Sequence, residues 1–361
     1  MSRKGSRAHL SRVLDGHVRS IQESFQMLES PADTCLDKVD WSEVTKLGDE
    51  VSKQATIAGM LWGGEAPDVK ALEENLGAYF NILHGFVLLC HGSTVGAGPT
   101  LQANIKTSAK LVVDCSLALL REAVSSYESR NHEKRLSIPQ LSGTVWEACA
   151  ALKKTPTTNC TAVGRAMTQV AVSVKDVLRE MGELKELKCA GSDDSGVSGK
   201  ASESTSLSDE DSDLTEADFG SDLSSEEMAI AQLIISVVSD TLTVIKELIR
   251  FISGLLKSFS LKINTKEFTD SLEKLLNYCQ EMSFEVNELG ACVYPPQEVC
   301  QMKLNADKMY SLVDKMHIEV NSLEGSPDGV FATFKQLESA LGNLQHGLGD
   351  NLENEMEKLK M

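Results

Sequence analysis

Apolar residues recur every three or four positions along most of the chain, a spacing that places them on one face of a helix. The first segment shows this spacing at Leu14, Val18, Ile21, Phe25 and Leu28. No long segment alternates between apolar and polar residues, as a half-buried strand would. The sequence therefore predicts an all-α protein of about ten long helices packed in antiparallel bundles.

Helix starts are marked by side chains that can cap exposed backbone N–H groups. In a capping box, a short polar residue and an acid three positions later each accept a hydrogen bond from the other's backbone N–H. Three pairs have this spacing: Asp40 and Glu43, Ser224 and Glu227, and Asn264 and Glu267. We expect helices to begin at these pairs, and we expect a shorter helix over about residues 140–153.

The helical pattern stops between residues 191 and 223. Within residues 191–227, twelve acidic residues face only Lys200, so this stretch carries −11 of the net charge of −18. Such a segment buries too little apolar area to offset the ordering of its backbone, at about 1–2 kcal/mol per residue. The sequence predicts an N-terminal helical bundle (1–190), an acidic, serine-rich disordered linker (191–223) and a C-terminal helical bundle (224–361).

The acidic run SLSDEDSDLTEADF, residues 206–219, contains three candidate phosphorylation sites, Ser206, Ser208 and Thr215. Each has an acidic residue three positions later, a pattern that acidophilic kinases favour, and each phosphate would add about −1.5 to −2 charge. The run also imitates a calcium loop. However, Leu214 and Gly220 stand where that loop needs a glycine and a bidentate acid. We therefore expect no calcium or other metal site.

Catalytic motifs are not evident in the sequence. The glycine-rich stretch HGSTVGAGP (91–99) lacks the lysine of a phosphate-binding loop and follows a helical pattern, so it predicts a loop that ends a helix. We interpret His84 as a hydrogen-bonded residue between helices, because no zinc-binding spacing surrounds it. The sequence predicts a non-enzyme without catalytic residues, cofactor or metal, although it leaves open a site assembled from distant residues.

Charge and cysteine content limit the partners and the cellular compartment that we expect for the protein. The net charge of −18 argues against direct nucleic-acid binding, which needs clustered Lys and Arg. The nine cysteines form no C-x-x-C pair, as expected for reduced intracellular cysteines. The apolar run at about 228–238 is too short to span a bilayer, so we expect no membrane partner. The basic first twenty residues are either a targeting segment or the start of a helix.

Three stretches resemble the D-type cyclin-binding protein family, also called GCIP. They are VSKQAT (51–56), TVWEAC (144–149), and ACVYPP followed by KLNADKMYSLVDKM (291–316). The resemblance spans about residues 39–323 and includes the acidic insert. It implies an all-helical protein of the nucleus and cytoplasm that binds D-type cyclins and helix-loop-helix transcription factors. It also implies restraint of cell-cycle progression or transcription, without a basic region that contacts DNA.

The candidate partner-binding residues are the leucines of the last helix and one tryptophan. The leucines have heptad spacing and are Leu337, Leu341, Leu344 and Leu348. Three glycines interrupt them, each weakening the helix by about 1 kcal/mol relative to alanine. We expect these leucines to pack in the core of the protein, with partner binding as the alternative. Trp146 is expected to anchor the core of a short helix, with partner contact as its alternative.

A second class of function fits the same helical pattern. Antiparallel bundles of long helices also serve as scaffolds or adaptors of the cytoskeleton or of membrane traffic. Binding to a D-type cyclin separates the two hypotheses, because a cytoskeletal scaffold would not bind one. The sequence does not indicate an oligomeric state.

Overall fold

The computed structural model describes residues 3–33, 35–63, 68–127, 132–189, 223–255, 265–294, 296–323, 325 and 327–358. Within these ranges the chain forms ten α-helices, two short 3-10 helices and no strand, which confirms the all-α prediction. The helices are α1 (Arg3–Phe25), α2 (Trp41–Gly63), α3 (Val69–Gly92), α4 (Pro99–Ser126), α5 (His132–Ala151), α6 (Asn159–Cys189), α7 (Ser225–Leu255), α8 (Lys266–Cys292), α9 (Val299–Ser322) and α10 (Asp328–Lys358). The 3-10 helices are Gln26–Glu29 and Leu152–Lys154.

The capping box predicted at the start of α7 is confirmed. Ser224 Oγ accepts a hydrogen bond from the Glu227 N–H at 3.1 Å, and Glu227 Oε2 accepts one from the Ser224 N–H at 2.7 Å. Leu223, just before the cap, is buried. Both ends of the box satisfy N–H groups that a helix start leaves without an intrahelical partner.

The starts of α2 and α8 depart from the predicted capping in detail. Asp40 caps α2 by accepting the N–H of Ser42 with Oδ1 at 2.7 Å. At α8 the predicted cap, Asn264, lies outside the described residues. Thr265 Oγ1 accepts the Phe268 N–H at 3.3 Å instead, so the cap lies one residue later than predicted.

The predicted linker at 191–223 lies outside the described residues except for Leu223, as do the candidate phosphorylation sites Ser206, Ser208 and Thr215. These predictions therefore remain predictions.

Helix α5 is longer than the short helix predicted at 140–153. It begins at His132 and continues through Pro139, which lies inside the helix. Proline lacks a backbone N–H and so removes one intrahelical hydrogen bond. Pro139 is exposed and Ile138 beside it is fully buried, so core packing on one side holds the helix across the proline.

The chain folds into two compact units. One unit is Met1–Ala166 with Leu255–Glu273, and the other is Met167–Gly254 with Lys274–Met361. The boundaries fall inside α6 and α8 and just before the last residue of α7. It differs from the predicted parts 1–190, 191–223 and 224–361, which remain a prediction about independent folding.

The core of the first unit lies between the inward faces of α1 to α5. Helices α1 and α3 run parallel rather than antiparallel, because His9 meets Glu73 and Ser20 meets His84. Helix α2 packs against α3 and α5, and α4 packs against α1 and α5. The largest fully buried side chains of this core are Tyr79, Phe80 and Phe86 of α3. His84, on the same helix, is hydrogen-bonded between helices as predicted: Nδ1 lies 2.7 Å from the Phe80 carbonyl oxygen and Nε2 lies 3.0 Å from Ser20 Oγ of α1.

The glycine-rich stretch at 91–99 is the loop between α3 and α4, as predicted. Gly96 has φ of 69°, a left-handed conformation that glycine adopts without strain. At Gly98 an added Cβ would lie 2.7 Å from Glu273 Oε1 and 2.7 Å from Thr269 Cγ2. A larger residue at this position would therefore require Glu273 or Thr269 of α8 to move away from the loop.

Two polar side chains hold the loop in place. Asn159 accepts the Gly98 N–H with Oδ1 at 2.8 Å and donates to Thr269 Oγ1 at 3.0 Å. The Glu273 carboxylate accepts from the Thr100 N–H at 3.0 Å and from the Thr100 hydroxyl at 2.6 Å. A carboxylate at this position caps α4 and complements the positive end of its dipole.

Helix α7 is long and apolar enough to span a membrane by length and composition alone. Asp240 ends the apolar run at 228–238 but does not end the helix, which reaches Leu255, so the run understates the length of the apolar segment. The most apolar 18-residue window of α7 is 50% buried inside the structure, and core helices of soluble proteins meet the same criterion. The expected absence of a membrane partner remains a prediction.

Candidate protein-interaction surfaces

Trp146 lies on the outer face of α5 with 43% of its surface exposed. Its indole Nε1 donates a hydrogen bond to Thr56 Oγ1 of α2 at 3.1 Å. Thr56 in turn donates to the Ser52 carbonyl oxygen at 3.0 Å, so its hydroxyl is oriented as an acceptor for the indole. The expectation that Trp146 anchors the core is therefore wrong, and the residue is available to a partner.

This contact joins two of the stretches on which the family resemblance rests. VSKQAT lies on α2 and TVWEAC lies on α5, and the two helices run antiparallel against each other. Beneath the Trp146–Thr56 contact, Ala55 of α2 and Val145 and Cys149 of α5 are buried in the core. One side of each stretch thus packs inward, and the other side forms a common outer surface.

Small residues let α2 and α5 approach closely below this surface. A Cβ at Gly59 would lie 2.7 Å from Ser142 Oγ, and a Cβ at Gly48 would lie 2.5 Å from Leu152 Cδ1. Ser142 Oγ also donates to the Ala55 carbonyl oxygen at 3.3 Å across the two helices. Tight packing of this kind fixes the position of Trp146 relative to α2.

Two exposed apolar residues of α2 extend the surface around Trp146. Ile57 is 48% exposed and Met60 is 75% exposed. Met60 lies one helical turn beyond Thr56 on the same face, whereas Ile57 is turned by about 100° from Thr56 and lies at the edge of the patch, one turn before Met60. We call these four residues, Thr56, Ile57, Met60 and Trp146, the Trp146 surface. Single exposed apolar residues are ordinary, but neighbouring ones with an aromatic centre are typical of protein-binding patches.

Sequence reasoning missed Ile57 and Met60. Both lie off the inward stripe of α2, which runs through Val44, Val51 and Ala55. Apolar residues on the face opposite such a stripe are the signal that could have found them.

Ion pairs border one end of the Trp146 surface. Lys53 Nζ lies 2.6 Å from Glu50 Oε1 on α2, and Lys153 Nζ lies 3.5 Å from Asp49 Oδ1. All four side chains are largely exposed, so these pairs contribute little to stability. An apolar centre with a charged border resembles the core and rim of a protein–protein interface.

The cysteine thiols near this surface are poorly suited to nucleophilic chemistry. Burial raises the pKa of the Cys149 thiol to about 12. Burial also raises the pKa of Cys115, on the neighbouring helix α4. Both thiols are therefore protonated at neutral pH, whereas the reactive form of cysteine is the thiolate.

The third stretch of the family resemblance lines a groove between α8 and α9 in the second unit. The groove has a volume of about 340 Å³, and its lining includes the 58% exposed Phe284 of α8 with Lys308 and Lys315 of α9. Lys308 Nζ lies 3.2 Å from the buried carboxylate of Glu285. The Lys315 ammonium lies 5.9 Å from the centre of the Tyr278 ring, within cation–π range.

The four candidate leucines of α10 are fully buried: Leu337, Leu341, Leu344 and Leu348. Two of the glycines between them have a packing role, which corrects their interpretation as mere interruptions of the helix. A Cβ at Gly342 would lie 3.2 Å from the Tyr310 hydroxyl, and one at Gly347 would lie 2.8 Å from Leu233 Cδ1. These leucines belong to the core here, and a partner could reach them only if α10 left its packing.

Metal ligands do not converge in the described part of the chain. No group of three or more His, Cys, Asp or Glu side chains there could hold a metal ion. His9 Nε2 lies 3.0 Å from Glu73 Oε2 between α1 and α3, but two such side chains fall short of a metal site.

Comparison with known proteins identifies the family. The sequence model described as Grap2 and cyclin-D-interacting, N-terminal, matches residues 43–187, and its C-terminal counterpart matches residues 207–318. The chain is also 25% identical to the cyclin-D1-binding protein 1 homolog of Xenopus laevis over 246 residues, 68% of each protein. The N-terminal match includes the Trp146 surface, and the C-terminal match includes the residues that line the α8–α9 groove. The chain therefore belongs to the Grap2 and cyclin-D-interacting (GCIP) family.

Proposed function

We propose that this protein is a non-enzymatic regulatory protein that binds a D-type cyclin through the Trp146 surface. By occupying the cyclin, it withholds the cyclin from its productive complex and so restrains cell-cycle progression. The supporting observation is that the two family-like stretches of the first unit meet at Thr56 and the exposed Trp146, next to the exposed apolar residues Ile57 and Met60. The name of the Xenopus relative, a cyclin-D1-binding protein homolog, agrees with this class of partner.

The chemistry of the Trp146 surface suits recognition by an apolar partner surface. Tryptophan is enriched among residues that dominate binding energy, because its large ring buries much area with few rotatable bonds. The hydrogen bond to Thr56 fixes the indole before binding, so less side-chain freedom is lost on association. The flexible thioether of Met60 can adapt its shape to the partner.

Quantitative binding to a purified D-type cyclin from the same organism tests the proposal. We expect Trp146→Ala to weaken binding by about thirtyfold, corresponding to a tryptophan hot spot of about 2 kcal/mol. Met60→Ser should weaken binding by a smaller factor. The matched control is Leu88→Ser on α3, which is 56% exposed and lies outside the surface. Circular dichroism and the melting temperature show whether each variant is folded.

The binding results test two claims separately: that the protein binds a D-type cyclin, and that it does so through the Trp146 surface. Absence of cyclin binding by the unaltered protein at micromolar concentration would overturn the function. Cyclin binding that is unaffected by Trp146→Ala and Met60→Ser would leave the function standing and exclude the Trp146 surface. Phe284→Ser in the α8–α9 groove is the variant to compare in that case.

The proposal extends to helix-loop-helix transcription factors as further partners and to action in both nucleus and cytoplasm. The family resemblance supports these two points. Phosphorylation at Ser206, Ser208 or Thr215 would regulate the protein by adding charge to an already acidic segment. Co-precipitation with helix-loop-helix factors, imaging of the tagged protein and phosphopeptide mass spectrometry test the three points separately.

A further inference from the structure

A cavity of the first unit lies next to the start of α2 and the segment that joins α5 to α6. Its volume is about 630 Å³, within the range of small-molecule sites. Apolar contacts come from Val39, Trp41 and Ile105, and the remaining lining is rich in lysine and hydroxyl groups. Trp41 is held in place because its Nε1 donates to the Leu152 carbonyl oxygen at 2.9 Å.

Two lysines, Lys38 and Lys153, line this cavity. Lys38 has no carboxylate within ion-pair distance among the residues that the structure describes. Although the residue as a whole is exposed, burial around its charged end lowers the pKa of the Lys38 ammonium, and the attraction of Asp40 offsets this only in part. A partly desolvated cation without an ion-pair partner is a position that a bound anion would stabilise.

The cavity has one acidic lining residue, Asp40, against its two lysines. The Asp40 carboxylate already accepts the Ser42 N–H through Oδ1 at 2.7 Å as the cap of α2. Lys153 pairs with Asp49, which does not line the cavity, and both partners of that pair are largely exposed. The lining therefore carries a net positive charge, in contrast to the strongly acidic chain as a whole.

One hydroxyl group of the lining remains available as a hydrogen-bond donor. The side-chain hydroxyl of Thr157 forms no hydrogen bond within the described ranges. By comparison, the Thr45 hydroxyl donates to the Ser42 carbonyl oxygen at 2.8 Å, and the Ser42 side chain interacts with the Asp40 carboxylate. Two lysine ammonium groups and the Thr157 hydroxyl can together supply a donor to each of the three terminal oxygens of a phosphate.

We propose that this cavity binds a phosphorylated ligand, with its phosphate group between Lys38 and Lys153. The Thr157 hydroxyl donates a hydrogen bond to a phosphate oxygen. The cavity is several times larger than a phosphate group alone, so the organic part of the ligand lies against Trp41 and Val39. The ligand is either a free phosphate ester or a phosphorylated side chain of a peptide, because both present the same group.

Calorimetry on the full-length protein tests the proposal with three probes: O-phosphoserine, inorganic phosphate and serine. We expect saturable binding of O-phosphoserine, and none of serine. Lys38→Met should weaken phosphoserine binding about tenfold, as expected when a charge-assisted hydrogen bond is lost. Thr157→Val keeps the shape of an exposed side chain and should weaken binding severalfold. The control is Lys154→Met, since Lys154 is an exposed neighbour that does not line the cavity.

Comparison of inorganic phosphate and phosphoserine tells which part of a ligand is recognised. Equal affinity would support a site that recognises only the phosphate, whereas tighter binding of phosphoserine would support recognition of the attached group as well. A phosphoserine peptide then separates a peptide source from a free ester. The proposal would be overturned if neither phosphate probe saturated the protein up to about 10 mM, a concentration that already corresponds to very weak affinity. It would also be overturned if Lys38→Met left phosphoserine binding unchanged, or if Lys38→Met and Lys154→Met weakened it equally.

Discussion

Replacement of Leu344 by alanine measures how firmly α10 is held in the core. Leu344 is fully buried, with Leu341 and Leu348 on the same face of α10 equally buried. Truncation removes apolar contacts, worth about 1.5–3 kcal/mol for a fully buried leucine, and leaves a cavity. We therefore expect the free energy of unfolding to fall by about 3 kcal/mol, within the usual range for such substitutions.

Urea unfolding followed by far-ultraviolet circular dichroism is the appropriate assay. With a slope of about 2 kcal/mol per molar urea, the loss lowers the midpoint by about 1.5 M. Because the chain forms two compact units, unfolding can occur in more than one transition. The variant and the unaltered protein are therefore compared at the transition that Leu344→Ala shifts. Asn343→Ala is the matched control, since Asn343 is an exposed neighbour and should change stability by less than about 0.5 kcal/mol.

A small effect of Leu344→Ala would refute the packing argument. A loss below about 0.5 kcal/mol, equal to the surface control, would mean that α10 is not docked in solution as it is in the structure. The leucines would then be available to a partner. In that case Leu344→Asp should abolish partner binding without a change in melting temperature, whereas a docked α10 predicts a large loss of stability from the same substitution.

Three further predictions follow from local geometry. Ser224→Ala removes one half of the α7 capping box and should cost about 1 kcal/mol, seen as faster amide hydrogen exchange in the first turn of α7. Gly59→Ala places a Cβ 2.7 Å from Ser142 Oγ and should lower the free energy of unfolding, measured in the same urea assay, by about 1–3 kcal/mol. The control is Gly77→Ala, which has nothing within 4 Å of its new Cβ and should be neutral or stabilising. Burial lowers the pKa of His17 below 6.5 in the folded protein. The unfolded chain therefore binds the proton more tightly, and stability should fall as the pH drops through about 6.5; a His17 pKa at or above 6.5 in a proton NMR titration would contradict this.

Local signals in the sequence were sufficient to predict helices and several of their ends. The box formed by Ser224 and Glu227 acts within four residues, so it is present in the structure as predicted. Pro139 shows where local reasoning fails, because buried contacts of Ile138 carry α5 across a residue that usually ends a helix. A tertiary contact overrode the propensity of a single residue.

The Trp146 surface could be predicted only in part. Val145 and Trp146 are neighbours in sequence, separated by about 100° around the helix, and apolar spacing alone does not tell which of them faces inward. The structure buries Val145 and exposes Trp146. The partner of Trp146, Thr56, is 90 residues away in sequence, so the surface exists only after α2 and α5 pack. The role of Gly342 and Gly347 is equally hidden in the local sequence, because each leaves room for a side chain from another helix.

The carboxylate of Glu273 at the start of α4 has a consequence for how the chain is made. The residue that caps Thr100 follows it by 173 positions, so a ribosome must synthesise the chain as far as Glu273 before the first unit can form this contact. Until then, Gly98 and Asn159 also lack the α8 turn that packs on them. A chain ended at residue 190 would contain every helix from α1 to α5 and still lack this cap, and its early helices would be more exposed to proteases and chaperones than those of the whole protein.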